Sequence, residues 1–109
     1  MAVEQALKAI AEPNRRKILH LVQNDELPAG EIASHFDVTR PAISQHLRIL
    51  KHAGLVTERR EGTKRLYRAR LEGLEELRDF LNDFWEGRLQ LLANAAEKKE
   101  RRNQHDDSK

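Results

Sequence analysis

Residues 31–67 read EIASHFDVTRPAISQHLRILKHAGLVTERREGTKRLY. The middle of this stretch predicts a helix whose two ends are both written in the chain. Thr39 offers a hydroxyl to the free N–H groups of a first turn, and Pro41 falls where a missing N–H costs nothing. Gly54 supplies the stop, so the helix runs to about Ala53. Ile43, Leu47 and Leu50 form its apolar side. Pro41, Ser44, Gln45 and Arg48 are spaced i, i+3, i+4 and i+7 and share the opposite side. Such a helix packs with one stripe and leaves an amide and a guanidinium free on the other.

Just before it, residues 29–36 predict a short helix with Ile32, Ala33 and Phe36 inward, and Asp37-Val38 is a tight connection. Helix, turn and helix in this order make the arrangement in which the second helix enters the DNA major groove. The residue types suit that task. Gln45 can pair with adenine through two hydrogen bonds, Arg40 can reach guanine or a phosphate, and Ser44 can bond a base edge or the backbone. The Pro41 ring can pack on a thymine methyl. Thr39 sits at the helix start, where free N–H groups favour a phosphate, and Arg48 lies deeper and is read as a backbone contact.

Beyond Gly54, Leu55-Val56-Thr57 starts a strand, Glu61-Gly62-Thr63 is turn material, and Arg65-Leu66-Tyr67-Arg68 alternates as a second strand. Arg59, Arg60, Lys64 and Arg65 crowd the tip of this hairpin, within reach of a phosphate rail or a minor groove. Between residues 40 and 70 nine basic groups meet only Glu58 and Glu61, a local charge of +7, whereas the remaining residues carry −5. The whole-chain value of +2 hides this asymmetry, and a polyanion meets the local charge.

Outward from this centre, Val3, Leu7 and Ile10 predict a first helix that stops before Pro13. Pro13 opens a second helix ending near Asn24, and the residues from there to Pro28 read as a loop. After Leu71 the helical period returns through Leu74, Leu77, Phe80, Leu81, Phe84, Trp85, Leu89 and Leu92. One small domain has little core left for so broad an apolar face, so a second copy of the chain is its natural cover. Residues 97–109 are charged, without an apolar period, and read as a disordered tail; residues 1–96 form the DNA-binding and dimerisation domain.

The fold class expected is therefore mainly α with a small β-hairpin wing, in the order α-α-α-α-β-β-α: a winged helix-turn-helix. No run approaches the roughly 20 apolar residues of a membrane span, and the N-terminus lacks a basic segment before an apolar one. Cysteine is absent, which removes disulfides and thiolate ligands and agrees with a cytoplasmic setting. The histidines make no ligand pair at helical spacing, so no metal site and no cofactor are expected. No nucleophile stands beside a base and no Gly-rich phosphate loop occurs, so an enzyme is not expected.

The segments LKAIAEPNRRKILHLV (7–22), GEIASHFDVTRPAISQHLRILKHAGLV (30–56) and ERREGTKRLYR (58–68) are similar to the ArsR-type family of bacterial winged-helix repressors, over nearly the whole chain to about residue 92. The resemblance implies a homodimer built from the first and last helices, two reading helices in successive major grooves of a near-palindromic operator, and repression by covering the promoter. Val3, Leu7, Ile10, Leu74, Leu77, Leu81, Phe84, Trp85, Leu89 and Leu92 are the expected dimer residues. Metal-sensing relatives carry a cysteine box where this chain reads Pro28-Ala29-Gly30-Glu31-Ile32, and others place histidine on the last helix, which here has none from 71 to 92. The chain thus sits with the non-metal branch, its effector unnamed. Two alternatives stand beside the repressor: a sensor with a non-cysteine site, and a winged-helix module for protein contacts.

Overall fold

The computed structural model describes the backbone of residues 2–106 and the side-chain surroundings of residues 3–96 apart from 85 and 88–90. The elements follow as α1 (Ala2–Ile10), α2 (Pro13–Leu21), β1 (Leu27–Pro28), α3 (Ala29–Ala33), α4 (Arg40–His52), β2 (Val56–Glu61), β3 (Lys64–Ala69) and α5 (Leu71–Asp106). The winged helix-turn-helix is present, with one strand more than the sequence suggested. Leu27 and Pro28 pair with Tyr67 and Leu66 of β3, giving an antiparallel sheet in the order β1-β3-β2. Proline hides this strand from sequence reading, because it cannot donate to a ladder; at a sheet edge, paired on one side only, that loss is tolerated.

Each helix end has a chemical cause. Glu12 caps α2 by accepting from the Asn14 N–H at 2.6 Å, and Thr39 caps α4 by accepting from the Ala42 N–H at 3.2 Å. The run Pro13-Asn14-Arg15-Arg16 closes the preceding helix as well as opening its own. Arg15 Nε donates to the Ala9 carbonyl and Arg16 Nη1 to the Ile10 carbonyl, both at 2.7 Å, so two guanidiniums satisfy the last carbonyls of α1. Gly54, with φ of 77°, turns the chain out of α4. Gly73 has a different reason: an added Cβ would collide with the Gly54 carbonyl oxygen. The start of α5 therefore approaches the α4 turn as closely as a glycine permits.

The core sits under α4. Ile18, Val22, Ile32, Ile43, Leu47, Leu50 and Leu55 are fully buried, one or more from each of α2, α3, α4 and the turns that follow α2 and α4. Each large side chain so buried is worth about 1.5–3 kcal/mol relative to exposure. Ala69 N–H donates to the Val22 carbonyl and Arg70 N–H to the Leu55 carbonyl, tying the base of the wing to this core. The result is a fixed platform with one face of α4 inside it and the other outside.

Two compact units result, one closing at Leu77 and the other opening at Arg78. The first holds the sheet and the helix-turn-helix. The sequence reading groups residues 1–96 as one DNA-binding and dimerisation domain. Leu77 is the last buried residue among those described, and it fills the chain's own core rather than offering itself to a partner. In the second unit Phe80 and Phe84 meet edge to face at 5.2 Å, and Leu81, Phe84, Leu91 and Leu92 are exposed. The helical backbone continues past Leu92 to Asp106, since Ala, Glu, Lys and Arg favour helix without needing an apolar stripe. Of the residues read as a disordered tail, 97–106 are thus helical in backbone, and 107–109 lie outside the described residues.

Candidate nucleic-acid interface

Arg40, Pro41, Ser44, Gln45 and Arg48 are all exposed and project from the outer side of α4, while Ile43, Leu47 and Leu50 on the inner side are buried. The face drawn from the i, i+3, i+4, i+7 spacing is the face the fold presents. Arg48 is not simply a backbone group within it. Its Nη1 donates to Gln45 Oε1 at 3.1 Å. Because arginine only donates, this bond engages the carbonyl end of the Gln45 amide and leaves its NH₂ to donate elsewhere. The Arg40 guanidinium lies at about van der Waals distance from where a Gly30 side chain would begin.

Between α4 and the wing lies an open cleft of about 700 Å³. Ser44, Arg48 and Lys51 line it from the helix, Lys64 and Arg65 from the wing, with Leu47 and Tyr67 as apolar floor. Lys51 continues the stripe of Ser44 and Arg48 by one further turn. Its position in the sequence, three residues after Arg48, already held that signal.

The wing divides its cations by face. Register pairs Arg60 with Arg65 and Glu58 with Tyr67 on one side of the β2–β3 ladder, Arg59 with Leu66 on the other. Arg59 is held there by Glu26: Nε and Nη2 donate to the two carboxylate oxygens at 3.0 and 2.7 Å. The same fork pulls the Glu26 carboxyl below its ordinary pKa and raises that of Arg59. The sequence reading places Arg59 among the DNA-backbone groups; in the fold it makes a two-point ion pair with Glu26, next to the strand at Leu27 that the sequence does not reveal. Arg60 and Lys64, by contrast, make no ion pair among the described residues and are exposed. Arg65 is exposed and stands 3.7 Å from Glu58.

Glu58 is the second carboxylate that sequence reasoning passed over. Its Oε2 accepts from the buried Tyr67 hydroxyl at 2.6 Å, and its Oε1 accepts from Lys51 Nζ at 2.9 Å. The phenol and the ammonium hold its carboxyl below the ordinary range, and burial, then the carboxylate, pushes the Tyr67 pKa up to about 12.

Of the expected dimer residues, Val3, Leu7, Ile10 and Leu74 are half-buried, and Leu7, Ile10 and Leu74 pack against the core of their own chain. Leu77 is buried; Leu81, Phe84 and Leu92 are exposed; the side chains of Trp85 and Leu89 lie outside the described residues. Among the described residues no three His, Asp or Glu side chains converge, and no helix is long and apolar enough to cross a membrane.

Known proteins share this arrangement. Residues 12–58 match the family described as "Bacterial regulatory protein, arsR family". An HTH-type transcriptional regulator of Mycobacterium tuberculosis is 43% identical over 82 residues, which span 75% of this chain and 77% of the relative. The transcriptional repressor SdpR of Bacillus subtilis is 45% identical over 60 residues, 55% of this chain and 67% of that one. Among solved structures, a possible transcriptional regulator for arsenical resistance superposes with a TM-score of 0.71 at 43% identity, covering 82% of this chain and 93% of the other. A winged helix-turn-helix DNA-binding domain from Mycobacterium bovis, described as homodimeric, superposes with a TM-score of 0.64 at 32% identity, covering 78% and 79%. With the fold, the presented helix face and these relatives in agreement, the chain belongs to the arsR family of bacterial regulatory proteins.

Proposed function

We propose that this chain is a cytoplasmic, homodimeric, sequence-specific DNA-binding repressor that covers a promoter by occupying a near-palindromic operator. One observation carries the reading. Arg40, Ser44 and Arg48 of the exposed α4 face and Lys64 and Arg65 of the wing line one cleft, on a platform with a buried core. Gln45 and Ser44 are assigned to base edges, with Arg40 and Pro41 beside them at the helix start. Arg60, Lys64 and Arg65 are assigned to phosphates, and Thr39 to the phosphate nearest the α4 N-terminus. Arg48 acts twice in this scheme, holding the Gln45 amide and facing the backbone.

The exposed apolar residues of α5, Leu81, Phe84, Leu91 and Leu92, support pairing with a second copy, since a monomer rarely leaves such a row open. Two-fold symmetry then sets half-sites about 34–36 Å apart. The decisive experiment is selection of bound fragments from a genomic DNA pool. A recovered inverted repeat with that spacing is the expected result. Recovery of fragments with no common sequence would sink the reading role, and no retention at low salt would sink DNA binding altogether.

A further inference from the structure

Glu58 is the one carboxylate lining a cleft otherwise rimmed by cations. In a groove meant for a polyanion it is out of place by charge, and its geometry explains what it does there. A single carboxylate joins three elements: Lys51 from the last turn of α4 at 2.9 Å, the Tyr67 hydroxyl from β3 at 2.6 Å, and β2 through its own backbone. Arg65 stands 3.7 Å away on the same oxygen that Tyr67 uses. Tyr67 is buried and directly opposite Glu58 in the ladder, so the carboxylate is anchored from below. Lys51 and Arg65 are half or more exposed and keep donors to spare, two on the ammonium beyond the one given to Glu58 and those of the guanidinium.

We propose that Glu58 is a positioning and specificity-determining residue: it fixes the wing against the reading helix and holds Lys51 and Arg65 as a pair for one backbone phosphate. This rests on the DNA-binding reading above and adds Lys51 to its phosphate contacts. The physical consequence is selective. When the reading helix is seated on its operator, a phosphate comes within reach of Lys51 and Arg65, which bridge it to the carboxylate. On random DNA the helix is not seated and the bridge does not form, so Glu58, paired with Lys51 as in the free chain, only offsets cationic charge that would otherwise draw the duplex. The residue lowers binding to wrong sequences more than to the right one.

Glu58→Gln tests this: the variant carries no charge, and its one carbonyl oxygen still accepts from Tyr67 while the bond from Lys51 is lost. Operator and scrambled duplexes of equal length are titrated by fluorescence anisotropy at several salt concentrations. Scrambled DNA is expected to bind about fivefold tighter to the variant, the scale of one exposed charge contact, and the operator to change less than about twofold. Equal tightening on both duplexes would make Glu58 a mere bulk charge and overturn the proposal; so would no change on either. Lys51→Gln supplies the second arm and does not depend on how Glu58→Gln folds. It should weaken the operator complex more than the scrambled one and lower the salt slope on the operator by about one unit. An unchanged slope would remove Lys51 from the interface and overturn the proposal as well. Parent protein that binds both duplexes equally would instead defeat the base-reading role, a separate outcome.

Discussion

On the proposed reading, Gln45 becomes a reading device only when its neighbour holds it. An amide on a free side chain can present either end to a base; the Arg48 bond engages the Gln45 carbonyl and leaves its NH₂ to donate elsewhere. Gln45→Ala should therefore cost about 1–3 kcal/mol at particular operator positions while leaving the unfolding midpoint unchanged. Binding titrations against single-base operator variants check it, and unchanged selectivity refutes it. Gly73 makes the opposite kind of demand. Gly73→Ala drives a methyl into the Gly54 carbonyl and should destabilise by about 1–3 kcal/mol, read by chemical denaturation. No pattern in the sequence marks this glycine, because the contact joins two turns nineteen residues apart in number and adjacent only in the fold. The two carboxylates also set the acid limb of stability. Glu26 and Glu58 both have depressed folded-state values, so their contribution is present above about pH 4.5 and is lost as pH falls through the folded values. Tyr67 has the reverse sign: its contribution is present below pH 10 and disappears as pH rises towards about 12. In Glu58→Gln, denaturation midpoints across the acid range should fall less steeply than in the parent.

Among the elements, the wing is where charge counting alone misleads. Four basic residues at its tip look equivalent in the sequence, yet the alternation of a two-stranded ladder places Arg59 on the face that Glu26 occupies. Arg60→Ala and Lys64→Ala should each weaken all DNA alike and lower the salt slope by about one unit. Arg59→Ala should leave the slope nearly unaltered and instead loosen the wing, visible as faster amide hydrogen exchange in β1 and β3. A slope loss for Arg59→Ala equal to that of Lys64→Ala would show the Glu26 pair to be irrelevant on DNA. The helix α4 is legible almost to the residue, because its proline and two stripes lie within the element and its cap and glycine stop lie within two residues of its ends. The strand at Leu27 is not, because its evidence lies forty residues away in β3.

At the scale of the molecule, the proposed dimer gives α5 its purpose. Phe84 is two-thirds exposed in the single chain, and Leu91 more so, while Leu77 on the same helix is consumed by the chain's own core. Phe84→Ala should weaken the dimer by roughly 10–100-fold in dissociation constant, the scale of one buried aromatic side chain. Sedimentation velocity over a dilution series checks this, and an unchanged association would exclude Phe84 from the interface. Operator affinity should fall with it, since a single reading helix reaches one half-site.

The sequence by itself determined the helix-turn-helix, the wing, the exposed face of α4 and the basic bias of residues 40–70, since caps, periods and local charge are properties of neighbouring residues. Only the tertiary structure decided which cations are free. That choice depends on two carboxylates brought in by strand pairing and helix packing, Glu26 against Arg59 and Glu58 against Lys51 and Arg65. Ion pairs form by distance in space, and the chain's linear order carries no measure of it.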